Sequence, residues 1–326
     1  MKPKVSGTKL QARIISALVL GGFGGFVTLS GGLVFALSMS VTSFMSAREY
    51  FTMTATMTNE IPHPQPKWAS DLCIVLCASL STFLHLAGNK LTILVMLTTG
   101  AFSVISTLLI TKQEDPHFAQ FCATLFGIFY CGFLPAFWVK IRALAMNSAS
   151  AGSKKLVASQ NLSISGGSLV ESWPTALGGP EVWTTGLVVT IIAVLCIISA
   201  DVGAYCFGKT FGKHQLTAIS PNKTIEGAAG GLLSVVATAF GLRYLLGWHA
   251  GVIQTLCLGV VIFWSSVVGD LIESVMKRNA GMKDSGDVIP GHGGFLDRFD
   301  SYMFTGVAVY FYIVTIMPQL FQGFAI

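Results

Sequence analysis

Charged side chains are concentrated in one segment of a sequence that is otherwise largely apolar. This segment runs from Asp270 to Ser301 and lies between the apolar runs 256–268 and 302–324. If the residues after Gly269 are helical, its first half places acids, a serine and bases three or four positions apart, on one helix face. These residues are Asp270, Glu273, Ser274, Lys277 and Arg278. A helix face with carboxylates beside cations is suited to binding a divalent metal ion together with a phosphate group.

The second half of this segment repeats the pattern after a turn. The polar stripe breaks at 279–281, a glycine-rich turn follows at 290–294, and acids return at Asp297 and Asp300, with Ser301 next. Acids on two segments beside bases could supply oxygen ligands for Mg²⁺ and cations for the remaining phosphate charge. The alternative is that these are ordinary charges at a membrane edge, capping helices or reaching toward headgroups. Their density and the interleaved glycines favour a site.

The composition indicates which kind of scaffold must position these residues. Of 326 residues, 52% are hydrophobic and only 11% are charged, whereas soluble domains carry roughly a quarter charged residues. We therefore expect an integral membrane protein of the all-α class, a polytopic bundle with about nine transmembrane helices, each ~20 residues long. A single membrane domain over 1–326 would carry two polar active-site segments, 201–227 and 270–301, and a mobile loop at 143–181.

Composition also argues against several other classes of protein. The net charge of +5 is modest, and no groove of bases and aromatics indicates nucleic-acid binding. The seven cysteines include no C-x-x-C pair, and their odd number gives no disulfide framework. Residues 1–13 are basic and short, and we expect no targeting peptide among them.

Apolar runs separated by polar breaks give the order of the expected helices. The first run, 14–44, predicts two helices broken near Ser30–Gly32, of which the second ends at 48–51. The remaining spans are predicted at 71–87, 91–110, 118–139, 182–200, 228–246, 251–268 and 302–324. Lys and Arg are more numerous on the predicted side of the N-terminus, which places both polar segments on that side.

The other polar segment, 201–227, combines glycines with a helix-start pattern. Asp201 and Tyr205 would share a helix face, and Gly208 and Gly212 leave room for a close backbone or ligand approach. Ser220-Pro221, followed by Thr224 and Glu226, is typical of a helix start whose free amides can meet an anion. A glycine-rich turn followed by a capped helix explains the same residues without a ligand, and the pattern alone leaves both open.

Two motifs in these segments resemble those of one enzyme family. Residues 274–300 read S-x-x-K-R-x-x-x-x-K-D-x-G-x-x-x-P-G-H-G-G-x-x-D-R-x-D, which is similar to the signature of phosphatidate cytidylyltransferases, or CDP-diacylglycerol synthases. Residues 220–227 match S-P-x-K-T-x-E-G, the other recurrent motif of that family, with Asn222 where a base is commoner. The strings around 133–142 and 172–179 resemble plastid and cyanobacterial members.

The resemblance implies a reaction and a role for each site residue. CTP and phosphatidic acid would give CDP-diacylglycerol and pyrophosphate, through Mg²⁺-dependent attack of the lipid phosphate on the α-phosphorus of CTP. The implied metal ligands are Asp270, Asp297 and Asp300. The implied catalytic residues are Asp270, Lys277, Arg278, Lys283, Asp297 and Arg298, the bases serving phosphate oxygens. The implied substrate-binding residues are Asp201, Ser220, Lys223, Glu226, Ser274 and His292.

Partners, location and rival functions follow from the same interpretation. The partners would be CTP, phosphatidic acid and the lipid bilayer, without nucleic acid, and the protein could form a homodimer. A plastid membrane is expected, with a bacterial inner membrane as the alternative. A CTP-dependent lipid kinase would keep the metal–phosphate site but accept an alcohol. A transporter would explain the spans, although transport sites lie near mid-membrane, whereas these charges lie between spans.

Overall fold

The structure is a computed structural model that describes most of the chain. The described residues are 19, 21–57, 66–87, 98, 100, 102, 118–144, 184–246, 248, 250–289 and 293–317. Within them the chain is helical and contains no extended strand, only isolated bridges, which confirms the all-α prediction. Most of the predicted span 91–110 and most of the predicted loop 143–181 fall outside the described residues. His292 also falls outside them.

Long helices dominate the described part of the chain. They are α1 (Gly32–Thr54), α2 (Lys67–Ala87), α3 (Phe118–Arg142), α4 (Thr185–Phe211), α5 (Ile225–Leu245), α6 (Val252–Asn279) and α7 (Leu296–Ile316). Parts of α3 (Ile128–Phe133) and of α7 (Tyr312–Ile316) are π-helical. In the described residues, the six helices α2 to α7 are long and apolar enough to cross a membrane. The predicted count of about nine is therefore not confirmed.

The first apolar run breaks where the glycines predict. Residues 21–30 are helical, Gly31 interrupts the helix, and α1 begins at Gly32. Both glycines have positive φ angles, 61° and 53°, which most other residues adopt only with strain. The predicted end at 48–51 is wrong, because α1 continues through these residues to Thr54. Glu49 consequently lies inside a helix and is buried.

Several helices continue beyond their apolar runs into the polar segments. Helix α4 extends to Phe211, α6 extends to Asn279, and α7 begins at Leu296, six residues before the predicted span. A helix satisfies its own backbone hydrogen bonds whether its side chains are polar or apolar, so an apolar run underestimates its length. Helix α6 ends at Asn279, and just beyond it Gly281 has a φ of 67° and Met282 N donates to Lys277 O at 2.8 Å. This is a glycine-terminated helix end.

The chain divides into two compact units. The first comprises Met1–Ala136 and Ile272–Asp300, and the second comprises Phe137–Leu271 and Ser301–Ile326. In the first unit α1, α2 and the amino-terminal part of α3 pack together, and a Cβ added at Gly127 would meet the ring of Tyr50. The predicted single membrane domain stays a prediction.

In the second unit α4 and α5 form a close pair. A Cβ added at Gly203 would collide with Ser234, and one added at Gly230 would collide with Phe207. Small residues at such positions let two helix backbones approach closely, which is the usual basis of helix association in lipid. Helix α4 ends and helix α5 begins within the polar segment 201–227, so the close packing of the two helices also positions this segment.

Candidate active site

A partly buried lysine joins two carboxylates in the first unit. Lys277 Nζ lies 2.5 Å from Glu273 Oε2, one turn earlier on α6, and 2.6 Å from Asp297 Oδ1 on α7. The Glu273 and Asp297 side chains are 1% and 8% exposed, and Lys277 is 14% exposed. Ion pairs this well shielded are held by both charge and hydrogen bonding. The structure thus brings together Lys277 and Asp297, two of the predicted catalytic residues.

Asp297 also fixes the loop that precedes α7. Its second oxygen, Oδ2, accepts hydrogen bonds from Ser285 N at 2.9 Å and from Gly294 N at 2.8 Å. The second bond reaches back three residues from the first turn of a helix, as the acid of a capping box does. Four acceptor positions are available on a carboxylate, and three of them on Asp297 are used here. The predicted role of Asp297 as a metal ligand stays a prediction.

A further carboxylate, that of Asp300, lies close to Glu273 of this ion pair. Glu273 and Asp300 are both buried and offer oxygens within 4.8 Å of each other. Glu273 Oε1 has no hydrogen-bond partner among the described residues. A buried carboxylate oxygen without a partner is costly, and two adjacent carboxylates repel unless a cation or proton intervenes. This donor set fits a hard divalent cation, which prefers carboxylate oxygens.

Asp270 precedes Glu273 by three residues on the same helix, so the two side chains project from one face of α6. Asp270 belongs to the second unit, where it forms an ion pair with Lys223. This pair joins a residue of the segment 201–227 to the first residue of the segment 270–301. The predicted pairing of Asp270 with Asp297 on one metal ion stays a prediction.

Glu226 organises the loop that carries Lys223. One carboxylate oxygen lies 2.6 Å from His214 Nδ1, and the other accepts hydrogen bonds from the backbone amides of Lys213 and His214. Gln215 and Thr224 pair as an antiparallel bridge, which closes the loop between them. The predicted substrate-binding residue Glu226 therefore holds this loop in place through its own contacts.

The helix after this loop begins within the pattern that starts at Ser220-Pro221. Helix α5 starts at Ile225, and its cap is Thr224, whose Oγ1 accepts from Gly227 N at 3.0 Å. Ser220 instead forms a turn in which its carbonyl accepts from Lys223 N at 3.0 Å. A Cβ added at Gly208 or Gly212 would meet Thr224. In this structure, the group that approaches these two glycines closely is therefore the Thr224 side chain.

Other predicted site residues differ in their exposure. Arg278, Lys283 and Arg298 are exposed, and Asp201 lies exposed on α4 near Tyr205. Ser274 is buried on α6. Exposed cations at the ends of α6 and α7 are accessible to anionic ligands from solvent or from a membrane surface.

The similarity of this chain to known proteins includes both polar segments, 201–227 and 270–301, from which this site is built. Residues 11–316 match the model of the cytidylyltransferase family. The chain belongs to this family of nucleotidyltransferases. Phosphatidate cytidylyltransferase 4, chloroplastic, of Arabidopsis thaliana is 39% identical over 315 residues, which cover 94% of this chain and 74% of the relative.

Two bacterial relatives extend the comparison. The phosphatidate cytidylyltransferase of Synechocystis is 37% identical over 309 residues, covering 94% of this chain and 98% of the relative. That of Staphylococcus epidermidis is 44% identical over 125 residues, covering 38% of this chain and 48% of its own. Similarity over nearly the full chain is therefore found with plant chloroplast and cyanobacterial proteins.

Sequence reasoning assigned no site role to two buried acids of this candidate site, Glu273 and Glu49. Glu273 was visible in the polar stripe, three positions from Asp270, but no role was assigned to it. Glu49 was interpreted as part of a helix end. The available signal was an acid amid apolar residues of a membrane protein, because such a group is expensive to bury without partners.

Proposed function

We propose that the protein transfers the cytidylyl group of CTP to phosphatidic acid, giving CDP-diacylglycerol and pyrophosphate. The observation that carries this proposal is the pairing of Lys277 with Glu273 and Asp297, two acids that the segment 270–301 brings together. The names of the full-length relatives support the same substrates. A site of clustered carboxylates with exposed cations nearby suits the joining of two phosphate-bearing substrates.

The reaction needs positioning and charge neutralisation, without a covalent enzyme intermediate. An oxygen of the lipid phosphate forms a bond to the α-phosphorus of CTP, and the bond from that phosphorus to the bridging oxygen breaks. Pyrophosphate leaves with that electron pair. Bringing two anions together is opposed by their charge, so preorganised cations are the main contribution that the protein can make.

We propose that Lys283, Arg278 and Arg298 supply this stabilisation, since all three are exposed cations. Lys277 is held between Glu273 and Asp297, and its contribution is to fix these acids. Ser220, Lys223 and Glu226 would shape the loop that receives the nucleotide, with Asp201 as a further contact. Ser274 and His292 complete the proposed substrate-binding set.

We propose that Mg²⁺ binds this acidic region, because the buried Glu273 and Asp300 carboxylates lie close together and Glu273 Oε1 has no hydrogen-bond partner among the described residues. Asp270, one turn before Glu273, and Asp297 are the remaining candidate ligands. When bound, Mg²⁺ would offset the negative charge of the phosphate groups.

The apolar helices α2 to α7 fit a multi-pass membrane protein. We propose a plastid membrane as its location, because the full-length relatives include chloroplastic and cyanobacterial proteins. A bacterial inner membrane is the alternative. A homodimer remains a proposal from the sequence.

The test is transfer of label from [α-³²P]CTP to lipid by purified protein in vesicles containing phosphatidic acid. Labelled CDP-diacylglycerol with release of pyrophosphate is the expected result. Vesicles with diacylglycerol and [γ-³²P]CTP test for a lipid kinase, and sealed vesicles without acceptor lipid test for CTP transport. Label transfer only in the second assay, or uptake without any lipid product, would contradict the proposal.

A further inference from the structure

Glu49 is a buried acid of α1 that contacts the loop before α7. Its Oε2 accepts from Ser285 Oγ at 2.7 Å and from Leu296 N at 2.8 Å, and its Oε1 accepts from Phe295 N at 2.7 Å. The residue is 6% exposed. Two of these donors are backbone amides at the amino end of α7, where helix N–H groups need acceptors and negative charge is stabilised.

The loop backbone is shaped around this carboxylate. A Cβ added at Gly286 would lie 2.9 Å from Glu49 Oε1, and one added at Gly294 would lie 2.6 Å from Glu49 Oε2 and would collide with Ser285 Oγ. Real Cβ atoms do not approach other heavy atoms this closely, so larger residues at these positions would displace the carboxylate. Two glycines of the segment 270–301 are thus explained by contact with Glu49.

The same stretch of loop is held from another direction by Asp297. Ser285 donates its hydroxyl to Glu49 and its backbone N–H to Asp297. The consecutive amides of Gly294, Phe295 and Leu296 donate to Asp297, Glu49 and Glu49 in turn. A shift of this loop away from Glu49 would therefore also shift the donors of Asp297, whose other oxygen binds Lys277.

We propose that Glu49 is a positioning residue for the reaction, a role that rests on the proposed function above. It holds residues 285–286 and 294–296 so that Asp297 meets Lys277 and so that Lys283, just before Ser285, is placed for phosphate. Glu49 contacts no reacting atom in this scheme. Its effect on turnover passes through the loop and through Asp297.

The test compares Glu49→Gln with Arg48→Gln, a neutralising change at the exposed neighbouring position on the same helix. Glutamine has the size of glutamate but carries no charge. Its NH₂ group replaces one carboxylate oxygen, so a donor would face a backbone N–H that now donates to Glu49. Hydrogen exchange in peptides covering 293–300 should be at least roughly tenfold faster in Glu49→Gln, the factor expected when a charge-assisted hydrogen bond is lost. Exchange in α2 should stay unchanged, and Arg48→Gln should match wild type throughout.

Turnover provides the second readout. We expect Glu49→Gln to lower kcat by roughly tenfold or more with KM for CTP within about twofold, because a displaced loop loses transition-state contacts more than ground-state binding. Glu49→Asp, which keeps the charge, should recover part of kcat. Ser285→Ala removes a single donor and should raise exchange at 293–300 by a smaller factor, and it keeps the test open if Glu49→Gln does not fold.

Unchanged exchange at 293–300 in Glu49→Gln, or in Ser285→Ala where the first variant fails to fold, would overturn the proposal. Equal acceleration in α2 and in 293–300 would also overturn it, since Glu49 would then be a general stabilising residue. The exchange measurement needs no turnover. A wild-type protein that made no lipid product would thus overturn the proposed function, while the exchange result would still decide the contact role of Glu49.

Discussion

Lys277 Nζ donates to Asp297 Oδ1 at 2.6 Å, across twenty residues of sequence. The same ammonium group lies 2.5 Å from Glu273 Oε2. Lys277 is therefore already neutralised by two carboxylates, whereas the sequence alone assigned it to phosphate. Its charge maintains the acidic cluster, and under the proposed function the exposed bases of the segment would bind the phosphate groups.

Removing the Lys277 charge should destabilise the protein as well as inactivate it. Lys277→Met would leave Glu273 and Asp297 buried without their cation, which typically costs about 3–5 kcal/mol. Thermal unfolding in detergent would measure this loss. Lys283→Met, at an exposed position of the same segment, should leave the unfolding temperature nearly unchanged. Equal stability of the two variants would show that the Lys277 ion pairs add nothing to folding.

A methyl group at Gly294 should disrupt the loop before α7. In Gly294→Ala the new Cβ would collide with Ser285 Oγ and lie 2.6 Å from Glu49 Oε2, so we expect less than a tenth of wild-type turnover, roughly the loss for displaced catalytic groups. Gly241→Ala is the matched control on α5, where nothing lies within 4 Å of an added Cβ. That control should be neutral or slightly stabilising, because alanine favours a helix over glycine. Full activity of Gly294→Ala would contradict the described loop geometry.

Exposed bases of the segment should affect rate more than folding. Lys283→Ala and Arg298→Ala are each expected to lower kcat by roughly 10²–10³, the range seen for preorganised transition-state donors. Lys154→Ala and Lys155→Ala, in the segment 143–181 that the sequence predicts to be a loop, should have little effect. Similar losses at all four positions would indicate a general dependence on surface charge instead of a defined site.

Divalent metal should stabilise the wild-type protein through Glu273 and Asp300. EDTA is expected to abolish lipid product, and Mg²⁺ should restore it and raise the unfolding temperature. Glu273→Gln and Asp300→Asn should lose most of the Mg²⁺-dependent stabilisation, since each removes one charged oxygen ligand. Without metal, Glu273→Gln should be less stable than wild type, because it also loses the ion pair with Lys277.

Asp287→Asn serves as the control for this experiment, because Asp287 is an exposed acid of the same segment. It should keep the full Mg²⁺-dependent rise in unfolding temperature. Wild-type turnover in EDTA, or an unchanged Mg²⁺ response in both Glu273→Gln and Asp300→Asn, would exclude the proposed metal site.

Features set by neighbouring residues were predictable from the sequence. The helix break near Gly31, the end of α6 before Gly281 and the restart of a helix near Asp297 all follow from local backbone preferences. The helical periodicity from Asp270 to Arg278 was confirmed for the same reason, since α6 runs through it to Asn279. Local signals of this kind need no knowledge of the tertiary structure.

Features set by distant residues were not predictable. Glu49 and Ser285 are separated by 236 positions, and no pattern of spacing within either segment indicates their contact. The partner of Lys277 could not be chosen among several nearby acids, because side-chain pairing depends on how α6 and α7 pack. The pattern Ser220-Pro221, followed by Thr224 and Glu226, indicates a helix start without specifying its first residue, and in the structure Thr224 provides the cap.

The length of α6 has a consequence for how the proposed enzyme would meet its lipid. Its 28 residues give a helix of about 42 Å at ~1.5 Å per residue, longer than the ~30 Å hydrocarbon core of a bilayer. If the apolar residues 252–268 fill that core, the turns from Asp270 onward emerge at the depth of the phosphate groups.

A lipid would then reach the site by lateral diffusion, with its acyl chains still in the bilayer. The effective substrate concentration would be a surface density, set by the mole fraction of phosphatidic acid in the membrane. Adding inert phospholipid at constant total phosphatidic acid would slow the reaction, as dilution within a two-dimensional solvent requires.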